Sequence, residues 1–282
     1  MKKIAVAIIH GMGNQLEEYA EILINQLQVN FHQKTKHYTS EKEQLIIKSV
    51  FWADVFKTRE EELFENSVKP YQLNYQQLRR FLISYLGDAI AYQPVETNTQ
   101  NYYKVHEKVR ESLQWLAGKA GEEAVLCVIS HSLGTVIASN YFYDLQYGIL
   151  EPNQMLKNKT PLEKGETLAL FYTLGTSLPL WSLRYSDFNR PIMIPPPQLK
   201  GRYQELQGEW INFYDRDDIL SFPLKGLNES YQKAVTEDRK VNAGSLLTSW
   251  NPLSHGGYFS EKAVVDRIIK GLFHTWKQIN SL

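Results

Sequence analysis

The stretch 124–134, AVLCVISHSLG, is the sequence feature that most constrains how this chain can fold. A run of seven mostly apolar residues, 124–130, ends abruptly before His131, and a helical pattern follows Gly134. A strand that passes through a sharp turn into a helix holds the residue at the apex, here Ser132, in an exposed position. Residues beside such a turn must be small, which Gly134 satisfies fully and Ser130 less well. The stretch predicts an α/β fold with Ser132 as a candidate nucleophile, although strand–helix junctions are also common without any catalytic role.

Composition narrows the class of protein. The 282 residues include 31 basic and 31 acidic side chains, and this zero net charge argues against a general nucleic-acid binder. Cys127 is the single cysteine, so no disulfide can form within the chain, as is typical of a reducing compartment. No apolar run approaches the roughly 18 residues of a membrane span. We therefore expect a cytoplasmic protein with no integral membrane segment and leave its oligomeric state open.

Strand patterns alternate with helical patterns along most of the chain. Besides the strand before Ser132, the predicted strands are Ile4–Ile9, Leu45–Val55, Leu168–Thr173, Trp210–Tyr214 and Val241–Leu247. Continuous apolar strands of this kind are buried on both faces, which is typical of parallel sheets. The sequence predicts one domain over residues 1–282, with a mostly parallel central sheet and helices on both faces.

Residues 57–118 form a predicted helical insertion. Its apolar residues recur at intervals of three and four, as on one face of a helix. They are Tyr71, Tyr75, Leu78, Leu82, Tyr85 and Ala89. This face either packs on the sheet or belongs to a cap, within residues 59–101, that lays an aromatic, acyl-binding wall over the site.

The first predicted strand opens into the turn HGMGNQ. Glycines at this place suggest a dinucleotide-binding loop, but Leu16 stands where the third glycine belongs, and the second strand lacks the acid that would hold a ribose. Backbone N–H groups of this turn can instead face an oxyanion. We expect Met12 N–H and Leu133 N–H to form that site, with His10 holding the turn through hydrogen bonds.

A serine nucleophile needs a histidine base and an acid that orients it. His255 lies in a glycine-containing loop, PLSHGGYF, whereas His274 falls within the terminal helical pattern. The acid is expected after the fifth strand, where Asp218 is favoured because apolar residues follow it, and Asp217 is the alternative. Together with Asp215 these aspartates could also form a solvated turn or a cation site, but their spacing is not that of an EF-hand. We predict no metal site.

Four motifs together resemble the α/β-hydrolase superfamily, and most closely its lipase-like and inositol-deacylase-like branches. They are HGMGNQ, SHSLGT, NFYDRDDILSFPL and NPLSHGGYF. The resemblance implies an α/β-hydrolase fold in which Ser132, Asp218 and His255 form a catalytic triad. It also matches Gly11 and Met12 to the oxyanion loop of the family. Ser130, in place of the usual glycine, is the departure from the family pattern.

The expected function is that of a serine hydrolase that cleaves a carboxylic ester of a lipid-like or otherwise apolar acyl group. Such a triad works through an acyl-enzyme and needs no cofactor. An acyltransferase, a thioesterase or an amidase would use the same residues, and a non-catalytic binding protein could keep the same fold. The expected partner is a small-molecule or lipid-like ester substrate.

Overall fold

A six-stranded parallel sheet forms the centre of the computed structural model, which describes residues 1–13, 15–93, 100–149, 159–243 and 252–282. The strands are β1 (Ile4–Ile9), β2 (Leu45–Val50), β3 (Val125–His131), β4 (Leu168–Leu174), β5 (Glu209–Tyr214) and β6 (Glu237–Lys240). Their spatial order is β2-β1-β3-β4-β5-β6, and every described pairing is parallel. The predicted α/β fold class is confirmed.

Helices cover both faces of the sheet. They are α1 (Glu21–Thr35), α2 (Asp54–Ser67), α3 (Gln76–Ala91), α4 (Gln100–Ala120), α5 (Leu133–Tyr147), α6 (Leu178–Ser182), α7 (Glu229–Ala234) and α8 (Lys262–Ile279). Alternate residues of β1 point to opposite sides, because side chains alternate along a strand. Ile4 and Ile8 join the apolar layer that includes α1 and α8, whereas Ala5 and Ile9 join the layer that includes α4 and α5.

Two strand boundaries differ from those predicted. The second strand ends at Val50 instead of Val55, because Asp54 already begins α2. The sixth strand is Glu237–Lys240 instead of Val241–Leu247, of which residues 244–247 lie outside the described part of the chain. The charged sequence EDRK has no apolar pattern, since this strand lies at the sheet edge, where charged residues are common.

The predicted apolar face of the insertion is largely exposed. Tyr71 and Tyr75 precede α3 and are 72% and 78% exposed, so they do not pack on the sheet. Tyr92 is buried and its hydroxyl lies 2.9 Å from Nε2 of His106. Tyr85 alone of these tyrosines approaches the site described below. The rest of the predicted insertion includes α4, which packs on β1 and β2 as a layer of the core.

Candidate active site

The turn after β3 holds Ser132 in a strained conformation. Its φ of 52° and ψ of −126° lie where residues other than glycine rarely occur, and α5 begins at the next residue. Two glycines make the turn possible. A Cβ on Gly134 would overlap the carbonyl oxygen of His10, and a Cβ on Gly11 would lie 2.5 Å from Cβ of Ser132. The turn after β1 therefore packs directly against the serine.

Three side chains from distant parts of the chain form one line of hydrogen bonds at the carboxyl edge of the sheet. Oγ of Ser132 lies 2.7 Å from Nε2 of His255, and Nδ1 of His255 lies 2.8 Å from Oδ2 of Asp218. An ionised carboxylate can only accept, so Nδ1 carries the proton and Nε2 is left to accept from the serine. This arrangement allows His255 to take the proton of Ser132.

The carboxylate of Asp218 is kept ionised. Burial by itself would raise its pKa, but the hydrogen bond and charge of His255 lower it, and so do the N–H of Leu220 at 3.0 Å and the hydroxyl of Tyr258 at 2.9 Å. The result is a pKa below the ordinary value of aspartate. The carboxylate thus remains an acceptor over the pH range in which a histidine base works.

The other two aspartates of this loop have different positions. Asp217 is exposed to solvent, whereas Asp215 is buried. Its carboxylate accepts hydrogen bonds from the N–H of Asp217 at 3.0 Å and from the N–H of Ala243 at 2.6 Å. Asp215 therefore fixes the loop, and the structure brings only Asp218 within hydrogen-bond distance of His255.

A short 3₁₀ helix, Pro252–Phe259, carries His255 where the sequence predicted a loop. His131, the residue before Ser132, donates from Nε2 to the carbonyl oxygen of His255 at 2.6 Å. Burial lowers the pKa of His131 to about 3, so the imidazole is neutral and holds the segment without adding charge. The absence of a side chain at Gly175 leaves room for the ring of Tyr258, since a Cβ at this position would lie 2.8 Å from that ring.

His10 holds the turn that precedes Met12. Its Nε2 accepts from the N–H of Trp52 at 3.1 Å, and its Nδ1 donates to the carbonyl oxygen of Gly11 at 2.7 Å. Burial lowers the pKa of His10 to about 4, which keeps the ring neutral. Among the described residues, the N–H groups of Met12 and Leu133 have no acceptor, so both remain available to an oxyanion.

A buried carboxyl of α3 fixes the other end of this turn. Oδ2 of Asp88 accepts a hydrogen bond from the N–H of Gly13 at 2.8 Å, and Asp88 is 2% exposed. The pKa of Asp88 is raised to about 8, mainly by burial and also by the facing carboxyl of Glu60, although the bond from Gly13 opposes the shift. At neutral pH a proton therefore remains on this pair of acids, next to the turn that carries Met12.

We expect Asp88→Asn to improve stability at alkaline pH. The folded protein keeps Asp88 protonated up to about pH 8, whereas the unfolded chain ionises it at about pH 4. Between these values the wild-type free energy of unfolding falls as pH rises, because the folded state binds more protons. The asparagine is neutral and keeps an oxygen for Gly13 N–H, so it should lack this fall. Urea denaturation at about pH 5, 7 and 9 measures the difference.

The exposed Asp187 offers a matched control. Asp187→Asn removes a carboxylate of similar charge from the surface and should leave the pH dependence of unfolding as in the wild type. An Asp88→Asn variant whose stability falls in parallel with that of the wild type would show that Asp88 ionises normally in the folded protein.

The sequence left several residues of this site without a role. Tyr258 and His131 form hydrogen bonds to Asp218 and His255, and their closeness to His255 and Ser132 in the sequence was the available signal. Asp88 and Tyr85 lie on a helix whose pattern indicates only amphipathicity, so sequence alone offers no signal for them. Trp52, which holds His10, was predicted only as part of a strand end.

The described residues contain neither a metal-binding cluster nor a membrane-spanning helix. No group of three or more histidine, cysteine or acidic side chains there has a metal-binding arrangement. Within the same ranges, none of the helices combines the length and the apolarity needed to cross a membrane. Cys127 is a buried free thiol in β3, and burial raises its pKa.

No protein-family model matches the chain, and no curated protein matches its sequence. A solved structure described with LipS and LipT, two metagenome-derived lipolytic enzymes, has a TM-score of 0.44 and 9% identity, and the alignment covers 96% of this chain and 94% of that chain. That neighbour is a lipolytic enzyme. A similarity of this size assigns no activity to the present chain.

Proposed function

We propose that this protein is a serine hydrolase of the α/β-hydrolase type that cleaves a carboxylic ester with an apolar acyl group. The observation that carries the proposal is the hydrogen-bonded line from Ser132 through His255 to Asp218. It lies beyond the carboxyl ends of parallel strands, where ligands bind in open α/β sheets. The free N–H groups of Met12 and Leu133 beside Ser132 support the same conclusion.

Each of these groups has one role in the reaction. His255 takes the proton of Ser132 as Oγ adds to the ester carbonyl carbon, and the electron pair of the C=O bond moves to oxygen. The N–H groups of Met12 and Leu133 stabilise that oxyanion. The C=O bond re-forms as the C–O bond to the alcohol breaks, and the alcohol takes the proton from His255. Water then attacks the acyl-enzyme by the same steps, while Asp218 keeps His255 oriented.

The apolar acyl group is proposed from the surface of α3. Tyr85 of this helix lies beside Ser132, and its neighbours on the helix expose apolar side chains to solvent. They are Leu78, Phe81, Leu82, Leu86 and Ile90, each between 42% and 72% exposed. Contiguous exposed apolar surface of this kind marks interaction sites. An acyl chain that extends from Ser132 along α3 can bury its apolar surface against these side chains.

A series of p-nitrophenyl esters of increasing acyl length tests this proposal. We expect hydrolysis, with kcat/KM rising over the shorter members, because each buried CH₂ contributes about 0.8 kcal/mol, or roughly fourfold. Product analysis in the presence of a competing alcohol separates hydrolysis from acyl transfer. No turnover of any member would contradict the function, whereas equal turnover of all members would contradict only the acyl preference.

A further inference from the structure

The hydroxyl group of Tyr85 is a buried donor with no use in the reaction described above. It lies beside the hydroxyl of Ser132, yet it makes no hydrogen bond of normal geometry to any described residue. A buried hydroxyl without a partner costs free energy, about 1–3 kcal/mol, so such groups are uncommon outside functional sites. The cost is recovered if a bound reactant supplies the acceptor.

The position of Tyr85 is fixed by its own helix. Asp88, one turn further along α3, accepts the hydrogen bond from Gly13 N–H at 2.8 Å. Residues three apart lie on the same face of a helix, so the face that carries Tyr85 is the one held against the turn after β1. The ring of Phe81 stacks on that of Tyr85 at 5.4 Å and limits its movement. The hydroxyl is therefore held beside Ser132, on the face of α3 that contacts the turn after β1.

The chemical state of Tyr85 suits a donor. The pKa of Tyr85 is raised to about 12, mainly by burial and also by the charge of Asp218, while the hydroxyl of Ser132 acts in the opposite direction. The phenol thus keeps its proton at neutral pH. Ser132 already has a hydrogen-bond partner, because its Oγ lies 2.7 Å from Nε2 of His255.

We propose that Tyr85 is a catalytic residue whose hydroxyl donates a third hydrogen bond to the oxyanion, with α3 held in place for this purpose by Asp88. The proposal rests on the proposed serine hydrolase function. The O–H of Tyr85 stays intact through the step: it donates to the oxygen that receives the carbonyl electron pair, while the proton of Ser132 still goes to His255. Helix α3 then contributes a residue to the active site.

Tyr85→Phe tests the proposal, because it removes only the hydroxyl. We expect kcat for a p-nitrophenyl ester to fall about 10²-fold with KM nearly unchanged, since the lost bond forms only in the transition state. A trifluoromethyl ketone, which adds to the serine to give a stable oxyanion, should bind correspondingly more weakly, whereas the matching alcohol should bind as before. Tyr71→Phe, at a 72% exposed position, is the control and should change neither.

The possible outcomes separate the inference from the function on which it rests. Wild-type activity in Tyr85→Phe would overturn the role of Tyr85 and leave the hydrolase function standing. Increased activity would also overturn it, by showing that the hydroxyl obstructs Ser132. A wild-type protein that turns over no ester and forms no adduct with the ketone would overturn the function and the inference together. Thermal unfolding of the phenylalanine variant checks that its fold is retained.

Discussion

Replacing Ser132 by alanine should lower kcat for an ester by roughly 10⁵- to 10⁶-fold, the loss usual for a triad nucleophile. Without Oγ no covalent intermediate can form, and the remaining N–H donors act only on direct attack by water. A fluorophosphonate probe should label the wild-type protein at Ser132, as mapped by mass spectrometry. The alanine variant should not be labelled, and equal labelling of both proteins would contradict the assignment.

The same position provides a test that does not depend on activity. Ser132 has a φ of 52°, which glycine adopts freely and alanine does not. Ser132→Gly should therefore be more stable than Ser132→Ala by about 1 kcal/mol, the relief of strain being partly offset by the greater freedom of glycine in the unfolded chain. Urea denaturation of the two inactive variants measures this. A more stable alanine variant would show that the turn is not strained.

Replacing Asp218 by asparagine should lower kcat by about 10⁴-fold without preventing folding. The amide can donate to His255, which favours the tautomer with the proton on Nε2. That nitrogen could then no longer accept the proton of Ser132, although the three side chains would keep their places. The kinetics of ester hydrolysis measure the loss, and circular dichroism checks the fold.

Asp217→Asn is the matched control, because Asp217 is the next residue in the same loop but is exposed to solvent. It should retain nearly full activity. A large loss in Asp217→Asn together with a small loss in Asp218→Asn would mean that the loop rearranges in solution and that Asp217 is the acid. Similar losses in both variants would indicate that the loop, rather than one carboxylate, is needed.

Local patterns were sufficient to predict most of the sheet. β1, β3, β4 and β5 were predicted to within one residue at each end, because strands buried on both faces are continuous apolar runs. β6 was missed because its four residues are charged and lie at an edge, where pairing depends on β5 and not on burial. The 3₁₀ helix that carries His255 was also missed, because its glycines indicate a loop.

The candidate site likewise contains residues that the sequence indicated and contacts that only the fold determines. Ser132, His255 and Asp218 were chosen from the sequence because each follows a strand or lies in a glycine-containing loop, and all three roles remain proposals. Whether Asp217 or Asp218 reaches the histidine depends on the direction of one side chain, which no pattern encodes. The contact of Asp88 with Gly13 spans 75 residues of chain, and such a contact is decided by how α3 packs.

The sequence by itself determined the α/β class and the turn at Ser132, because both follow from local constraints: apolar runs that must be buried, and small residues where backbones approach closely. Only the tertiary structure decided which groups meet at that turn. The free hydroxyl of Tyr85, the protonated Asp88 at Gly13 and the neutral His131 are brought there by helix packing and by burial. These interactions depend on distances across the fold, so spacing along the chain does not reveal them.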